Sequence, residues 1–188
     1  MGNLSTQNSS IEGVVLIQPN EYGDERGFFL ENFKESAYKE LLIGNIQFVQ
    51  DNLSRSKKGI LRGLHYTVNK PQAQLLTVVR GKIFDVAVDL RKDSVTFGKW
   101  FGAELGDGSV RQIYMPHGIA HGFCVLSEWA DLHYKVTEEY DPSDEGGLLW
   151  SDAKIGIKWP LQSPLVGEKD SKFPILENIA YNKLPQIK

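Results

Sequence analysis

What most constrains this chain is its punctuation: from Gly13 onward, short β-prone runs alternate with Gly, Pro, Asn and Asp. The clearest run is Ile83-Phe84-Asp85-Val86-Ala87-Val88-Asp89-Leu90. Period-two alternation places Phe84, Val86, Val88 and Leu90 on one face and Asp85 and Asp89 on the other. Residues 75–79 form an expected strand before it, with Arg80-Gly81-Lys82 as a hairpin turn. Further strands are expected at 14–18, 27–33, 48–54, 61–66, 100–105, 112–115, 120–126 and 131–137. The one good helical pattern is 34–43, where Ala37, Tyr38, Leu41 and Leu42 recur at helical spacing. Many short strands at near-regular spacing select a sandwich or barrel over a βαβ fold. An antiparallel jelly roll meets this pattern by folding two sheets together, and such barrels hold small ligands in the mouth between the sheets.

The remaining composition narrows the class of ligand. At 188 residues the chain is expected to form one domain over 11–188, preceded by a loose arm at 1–10 that is rich in Ser, Asn and Gln. A formal charge of -3 argues against a nucleic-acid partner, while leaving room for a small anion held by a few Arg and Lys. The single cysteine, Cys124, lies in the apolar run Phe123-Cys124-Val125-Leu126; it excludes an intramolecular disulfide and reads as a small buried hydrophobe. No stretch approaches the ~18 apolar residues of a membrane helix. The N-terminus lacks a signal-peptide layout, and Gly2 followed by Thr6 matches a short myristoylation pattern that chance supplies easily. The expectation is a soluble cytoplasmic protein with no membrane partner.

Four histidines are candidates for chemistry: His65, His117, His121 and His133. His65 ends the strand Leu61-Arg62-Gly63-Leu64-His65-Tyr66, where alternation sends Leu61, Gly63 and His65 to one face and Arg62 and Leu64 to the other. An imidazole titrates near neutrality and suits proton transfer, although a satisfied core histidine fits the spacing equally well. Pro116-His117-Gly118-Ile119-Ala120-His121 looks like half of a cupin metal signature, but the other half offers only His65, too few ligands for a metal site. Tyr134, in Leu132-His133-Tyr134-Lys135-Val136-Thr137, is a possible general acid or a packed strand residue. Arg26, Arg62 and Lys169 are either diphosphate contacts or solvated charges.

Six segments in order carry a more specific signal. They are Asp24-Glu25-Arg26-Gly27-Phe28-Phe29-Leu30-Glu31, Phe48-Val49-Gln50-Asp51-Asn52-Leu53-Ser54, Leu61 to Tyr66, Phe84 to Arg91, Ala120-His121-Gly122-Phe123 and Tyr134-Lys135-Val136-Thr137. Together they resemble the dTDP-4-dehydrorhamnose 3,5-epimerase family over roughly residues 13–176. The resemblance implies an all-β, cupin-like antiparallel jelly roll with a few short helices, usually a homodimer, with no metal and no organic cofactor. It implies a nucleotide-sugar substrate, a dTDP-linked 4-keto-6-deoxyhexose, inverted at carbons flanking the ketone. The ketone acidifies those protons, so a base on one face and an acid on the other suffice to invert a carbon. By matching position His65 is the base, Asp170 its carboxylate partner and Tyr134 the opposite-face acid. Arg26, Glu31, Gln50, Asp51, Asn52, Arg62, His121, Glu145 and Lys169 fall on substrate-contact positions, and Tyr140 on the aromatic that stacks on the nucleotide base.

Two departures from the family pattern bear on the chemistry. Gln74 stands where the family usually has a Lys thought to stabilise the enolate oxygen, so a hydrogen bond remains available there but a full charge does not. Lys70 lies four residues earlier as a conceivable substitute. His117 replaces a common Glu before the Gly-x-Ala-His segment. The readings are therefore an epimerase at C3 and C5, one inverting a single carbon or using another nucleotide sugar, or a cupin that binds without turnover or depends on a metal.

Overall fold

Backbone hydrogen bonding in the computed structural model, which describes residues 4–42 and 46–186, builds almost everything from strands. In chain order these are β1 (Ser5–Asn8), β2 (Val15–Gln18), β3 (Glu21–Asp24), β4 (Gly27–Leu30), β5 (Gln50–Lys57), β6 (Ile60–Thr67) and β7 (Gln74–Arg80). They continue as β8 (Lys82–Asp89), β9 (Trp100–Gly106), β10 (Gln112–Met115), β11 (Ile119–Val125), β12 (Trp129–Val136), β13 (Glu145–Gly147) and β14 (Leu165–Val166). Two short helices, α1 (Glu35–Leu41) and α2 (Glu168–Ser171), and two single 3₁₀ turns complete the described elements. One sheet runs β1-β2-β10-β7-β12-β5 and the other β13-β6-β11-β8-β9, with β14 added parallel to β6; β3 and β4 form a separate hairpin. Apart from β14 the pairings are antiparallel, which is the jelly-roll arrangement the strand spacing predicts.

Both faces of the second sheet are covered. Ile83 and Ala87 of β8 join Leu76, Ile113, Phe123 and Leu132 in a core between the sheets. On the opposite face, Val86, Val88 and Leu90 pack with Leu64, Tyr66, Leu148, Ile155 and Leu184, under the C-terminal segment. Alternation along β8 therefore divides two buried clusters rather than core from solvent. Its two carboxylates, Asp85 and Asp89, are wholly buried.

Three local expectations change. The arm at residues 1–10 contains β1, whose four exposed residues pair with β2; backbone bonding needs no apolar side chains there. Arg80-Gly81-Lys82 does not close a hairpin, because β7 and β8 lie in different sheets, and Gly81 makes the corner with φ 78°. The helix covers Glu35–Leu41, and Ile43 lies outside the described residues.

The most consequential change is in β6. His65 pairs with His121 but Arg62 pairs with Phe123, so three steps on β6 face two on β11. This bulge resets the alternation, and Arg62 and His65 both line the same cavity while Leu64 packs in the outer cluster. The expected division of Leu61, Gly63 and His65 from Arg62 and Leu64 is corrected accordingly. The bulge depends on two glycines. Gly63 has φ 108°, and a Cβ there would stand 2.6 Å from the His121 carbonyl oxygen. A Cβ on Gly122 would stand 2.7 Å from the Arg62 carbonyl oxygen.

Gly63→Ala is expected to lower the unfolding free energy by about 1–3 kcal/mol, from backbone strain alone. Urea unfolding checks this; unchanged stability would show that the bulge tolerates a side chain.

Candidate active site

The cavity between the sheets, about 370 Å³, has one wall from each sheet. On the first sheet, alternation turns Gln50, Asn52 and Ser54 of β5 inward, with Gln74 and Leu76 of β7 and Tyr134 of β12. Arg62 and His65 of β6 and His121 of β11 supply the facing wall, while Tyr140 and Glu145 stand at the rim. His65 and Tyr134 thus sit on opposite sheets with the cavity between them.

His65 is fixed by a carboxylate from far along the chain. Asp170, in α2, takes a 2.9 Å hydrogen bond with His65 Nε2 on one oxygen and a 2.9 Å bond from the Gly63 N–H on the other. Burial raises the Asp170 carboxyl, but the bonds from His65 and Gly63 outweigh this and hold it below the ordinary carboxylate value. An ionised Asp170 can only accept, so Nε2 carries the proton of this bond, and in the neutral imidazole the lone pair is then on Nδ1. Phe173 packs edge-on against the imidazole at 5.6 Å and limits its rotation.

Tyr134 is suited to the complementary task. Burial raises its phenol above the ordinary value; nearby Arg62 pulls it down and Glu145 pushes it up. The hydroxyl therefore stays protonated at neutral pH and is available to give a proton rather than to take one.

The rim is a charged relay. Glu145 accepts from Lys169 Nζ at 2.6 Å and from the Tyr140 hydroxyl at 3.0 Å, and its other oxygen lies 3.8 Å from His65 Nε2. Burial raises the Glu145 carboxyl, but the Lys169 and Tyr140 bonds outweigh it, so the group is held low. The same contact raises the Lys169 ammonium. Gln50 accepts from the Tyr140 backbone N–H at 2.9 Å and donates to Asn52 at 2.8 Å. Arg62 donates through Nε to Ser56 at 2.9 Å.

Not every expected contact reaches this cavity. Asp51 lies on the other face of β5, where Lys135 holds it at 2.7 Å and His133 at 3.4 Å. The sequence Gln50-Asp51-Asn52 cannot send all three side chains to one side of a strand. Arg26 is on the exposed β3–β4 hairpin, paired with Asp24, and Glu31 faces a different pocket near α1. Lys70 and His117 line a neighbouring cavity, so neither stands in for a lysine at Gln74. Among the described residues no three His, Cys, Asp or Glu side chains converge as a metal site would require. Burial pushes the Cys124 thiol up to about 11, in keeping with a packing residue.

Sequence reasoning missed three participants. Ser54 lines the cavity with a buried hydroxyl that has no partner among the described residues. Phe173 packs on the His65 ring. Asp85 shares a 2.7 Å hydrogen bond with His121 Nε2, and its signal was visible as a carboxylate inside an otherwise apolar strand.

Comparison with known proteins places the chain in a family. The dTDP-4-dehydrorhamnose 3,5-epimerase family model matches residues 8–178. A dTDP-4-dehydrorhamnose 3,5-epimerase from Shigella flexneri is 48% identical over 163 residues, which is 86% of this chain and 90% of the relative. A dTDP-4-dehydrorhamnose 3-epimerase from Streptomyces niveus is 42% identical over 167 residues, 88% of this chain and 81% of that one. The crystal structure of dTDP-6-deoxy-D-glucose-3,5-epimerase from Legionella pneumophila, in complex with dTDP-4-keto-L-rhamnose, superposes with a TM-score of 0.95 at 44% identity, covering 99% of this chain and 100% of that one. With the family model spanning most of the chain and relatives this similar over nearly their full length, the chain belongs to the dTDP-4-dehydrorhamnose 3,5-epimerase family of isomerases.

Proposed function

We propose that the chain epimerises a dTDP-linked 4-keto-6-deoxyhexose, with His65 as base, Asp170 as the residue that orients it and Tyr134 as the opposing acid. The observation that carries this is the placement of a carboxylate-fixed imidazole and a protonated phenol on opposite walls of one cavity. The sugar C–H proton passes to His65 Nδ1, and the electron pair left behind forms the enolate. That pair then takes the Tyr134 proton on the other face, which inverts the carbon. Solvent returns a proton to Tyr134 and removes one from His65.

The rim provides for the nucleotide. Tyr140 is exposed and tethered to Glu145, a platform on which a base stacks for about 1 kcal/mol beyond area burial. Arg62 and Lys169 supply positive charge for the diphosphate, while Gln50, Asn52, Gln74 and His121 offer polar groups to the sugar. One named relative, the 3-epimerase from Streptomyces niveus, favours keeping a single-carbon outcome as the second reading, and Gln74 is the residue that fits it.

A homodimer accompanies this reading. Phe28 and Phe29 on the β3–β4 hairpin are 62% and 65% exposed, and Leu53 on the outer face of the first sheet is 73% exposed, apolar surface of the sort an interface covers. Arg26 and Glu31 ride on or beside that hairpin and away from their own cavity, so in the dimer they serve the cavity of the second copy. Sedimentation analysis is expected to give a dimer that Phe28→Ser/Phe29→Ser weakens; a monomeric wild type would refute the arrangement.

The activity is tested by incubating the protein with dTDP-4-keto-6-deoxyglucose in deuterated water and following exchange at C3 and C5. Deuterium at both carbons marks the double epimerase, and at one carbon the single. His65→Ala is expected to slow exchange by about 10²–10⁴-fold. Tyr134→Phe is expected to retain exchange from the His65 face while losing inversion. Unimpaired exchange by His65→Ala would remove His65 as the base.

A further inference from the structure

The β3–β4 hairpin belongs to neither large sheet. All of β3 is exposed, as are Gly27, Phe28 and Phe29 of β4, and among the described residues the two strands pair with each other alone. A two-stranded ribbon of this kind is marginal by itself, so its direction is set by where its ends are mounted. Asn32 and Phe33 form the mount just past the end of β4.

Beneath that mount lies a buried polar network on the outer face of the first sheet. Gln112 of β10 is wholly buried between Thr77 of β7 and Ile17 of β2, on the face where Ile17, Leu75 and Tyr114 cluster. Its Oε1 accepts from the Tyr38 hydroxyl of α1; burial pushes that phenol up to about 12, so it stays the donor. Its Nε2 lies 2.8 Å from the Asn32 carbonyl oxygen and 2.8 Å from the Thr77 hydroxyl, a partner for each of its two protons. The Asn32 side-chain oxygen is held as well, 3.2 Å from the Thr77 hydroxyl and 3.0 Å from Gln112 Nε2. The reverse amide orientation would set Gln112 Oε1 against the Asn32 carbonyl with no proton between them, so the network has one arrangement. Phe33 is packed by Tyr38 at 5.0 Å and Phe48 at 5.5 Å, with Lys135 over its ring at 4.7 Å.

Apolar side chains would fill this layer without burying any polar group. A fully satisfied polar cluster instead admits one position of the chain, and the position it fixes is Asn32, directly after Glu31. We propose that Gln112 is the positioning residue that mounts the hairpin, so that Arg26 and Glu31 of one copy arrive at the cavity of the other. This rests on the epimerase reading and on the dimer that accompanies it. Gln112 does not line the cavity of its own chain; it acts through Asn32, and the site it serves belongs to the second chain.

Mixed dimers purified through two different affinity tags test this, with deuterium exchange into dTDP-4-keto-6-deoxyglucose as the readout. The Gln112→Met homodimer is expected to form and to exchange about 10–10²-fold more slowly than wild type. Pairing a Gln112→Met chain with a His65→Ala chain is expected to restore about half the wild-type rate, because one intact base then receives an intact hairpin. Pairing wild type with a chain that carries both substitutions is expected to leave little exchange, since each cavity then lacks one or the other. Equal rates for the two pairings, or an undiminished Gln112→Met homodimer, would overturn the proposal. Should Gln112→Met fail to fold, Tyr38→Phe, which removes one hydroxyl from the network, replaces it in both pairings with the same contrast expected. A wild type without exchange would overturn the epimerase reading, and a monomeric wild type the dimer; the proposal falls with either.

Discussion

The Gly63 N–H bond to Asp170 is the contact on which the site depends. Where three steps of β6 face two of β11, one backbone donor leaves the ladder, and Asp170 collects it from 107 residues along the chain. Its other oxygen then fixes His65. One carboxylate therefore satisfies an otherwise orphaned amide, sets the imidazole tautomer and ties the C-terminal segment to the sheet. The same bulge turns Arg62 toward the cavity with His65, which a regular strand forbids.

Around that anchor, burial assigns roles to chemically similar groups. Asp170 and Asp85 each hold a histidine, yet among the described residues one has two hydrogen-bond partners and the other has one. Glu145 is kept ionised by Lys169 and Tyr140 at the rim, where a diphosphate would compete for the same ammonium. The sheet core behind these groups is apolar, with Leu76, Phe123 and Leu132 packed between the walls, so polar contacts there meet little competition from water.

Much of this was legible in the sequence because it follows from period-two alternation and segment order. The strands from residue 74 to 136 and helix α1 obey simple periodicity, and Gln50, Asn52 and Tyr134, which the family resemblance marks, line the cavity as alternation allows. What escaped did so for physical reasons. The Gly63 bulge breaks the alternation that placed Arg62 and Leu64 together. The corner at Gly81 uses the same residue types as a hairpin turn. Asp51 was grouped with its neighbours by motif, although pleating sends it to the opposite face. Strand β1 has no apolar pattern to detect, because its stabilisation is backbone pairing alone.

The central claim is that Asp170 holds the bulged β6 backbone and His65 together. Amide hydrogen exchange at Gly63, followed residue by residue in the wild type and in Asp170→Ala, measures that contact directly. The account predicts a Gly63 amide protected in the wild type and at least about tenfold faster in Asp170→Ala, with the β8–β11 ladder unchanged. A Gly63 amide that exchanges freely in the wild type, or that ignores the substitution, would contradict it.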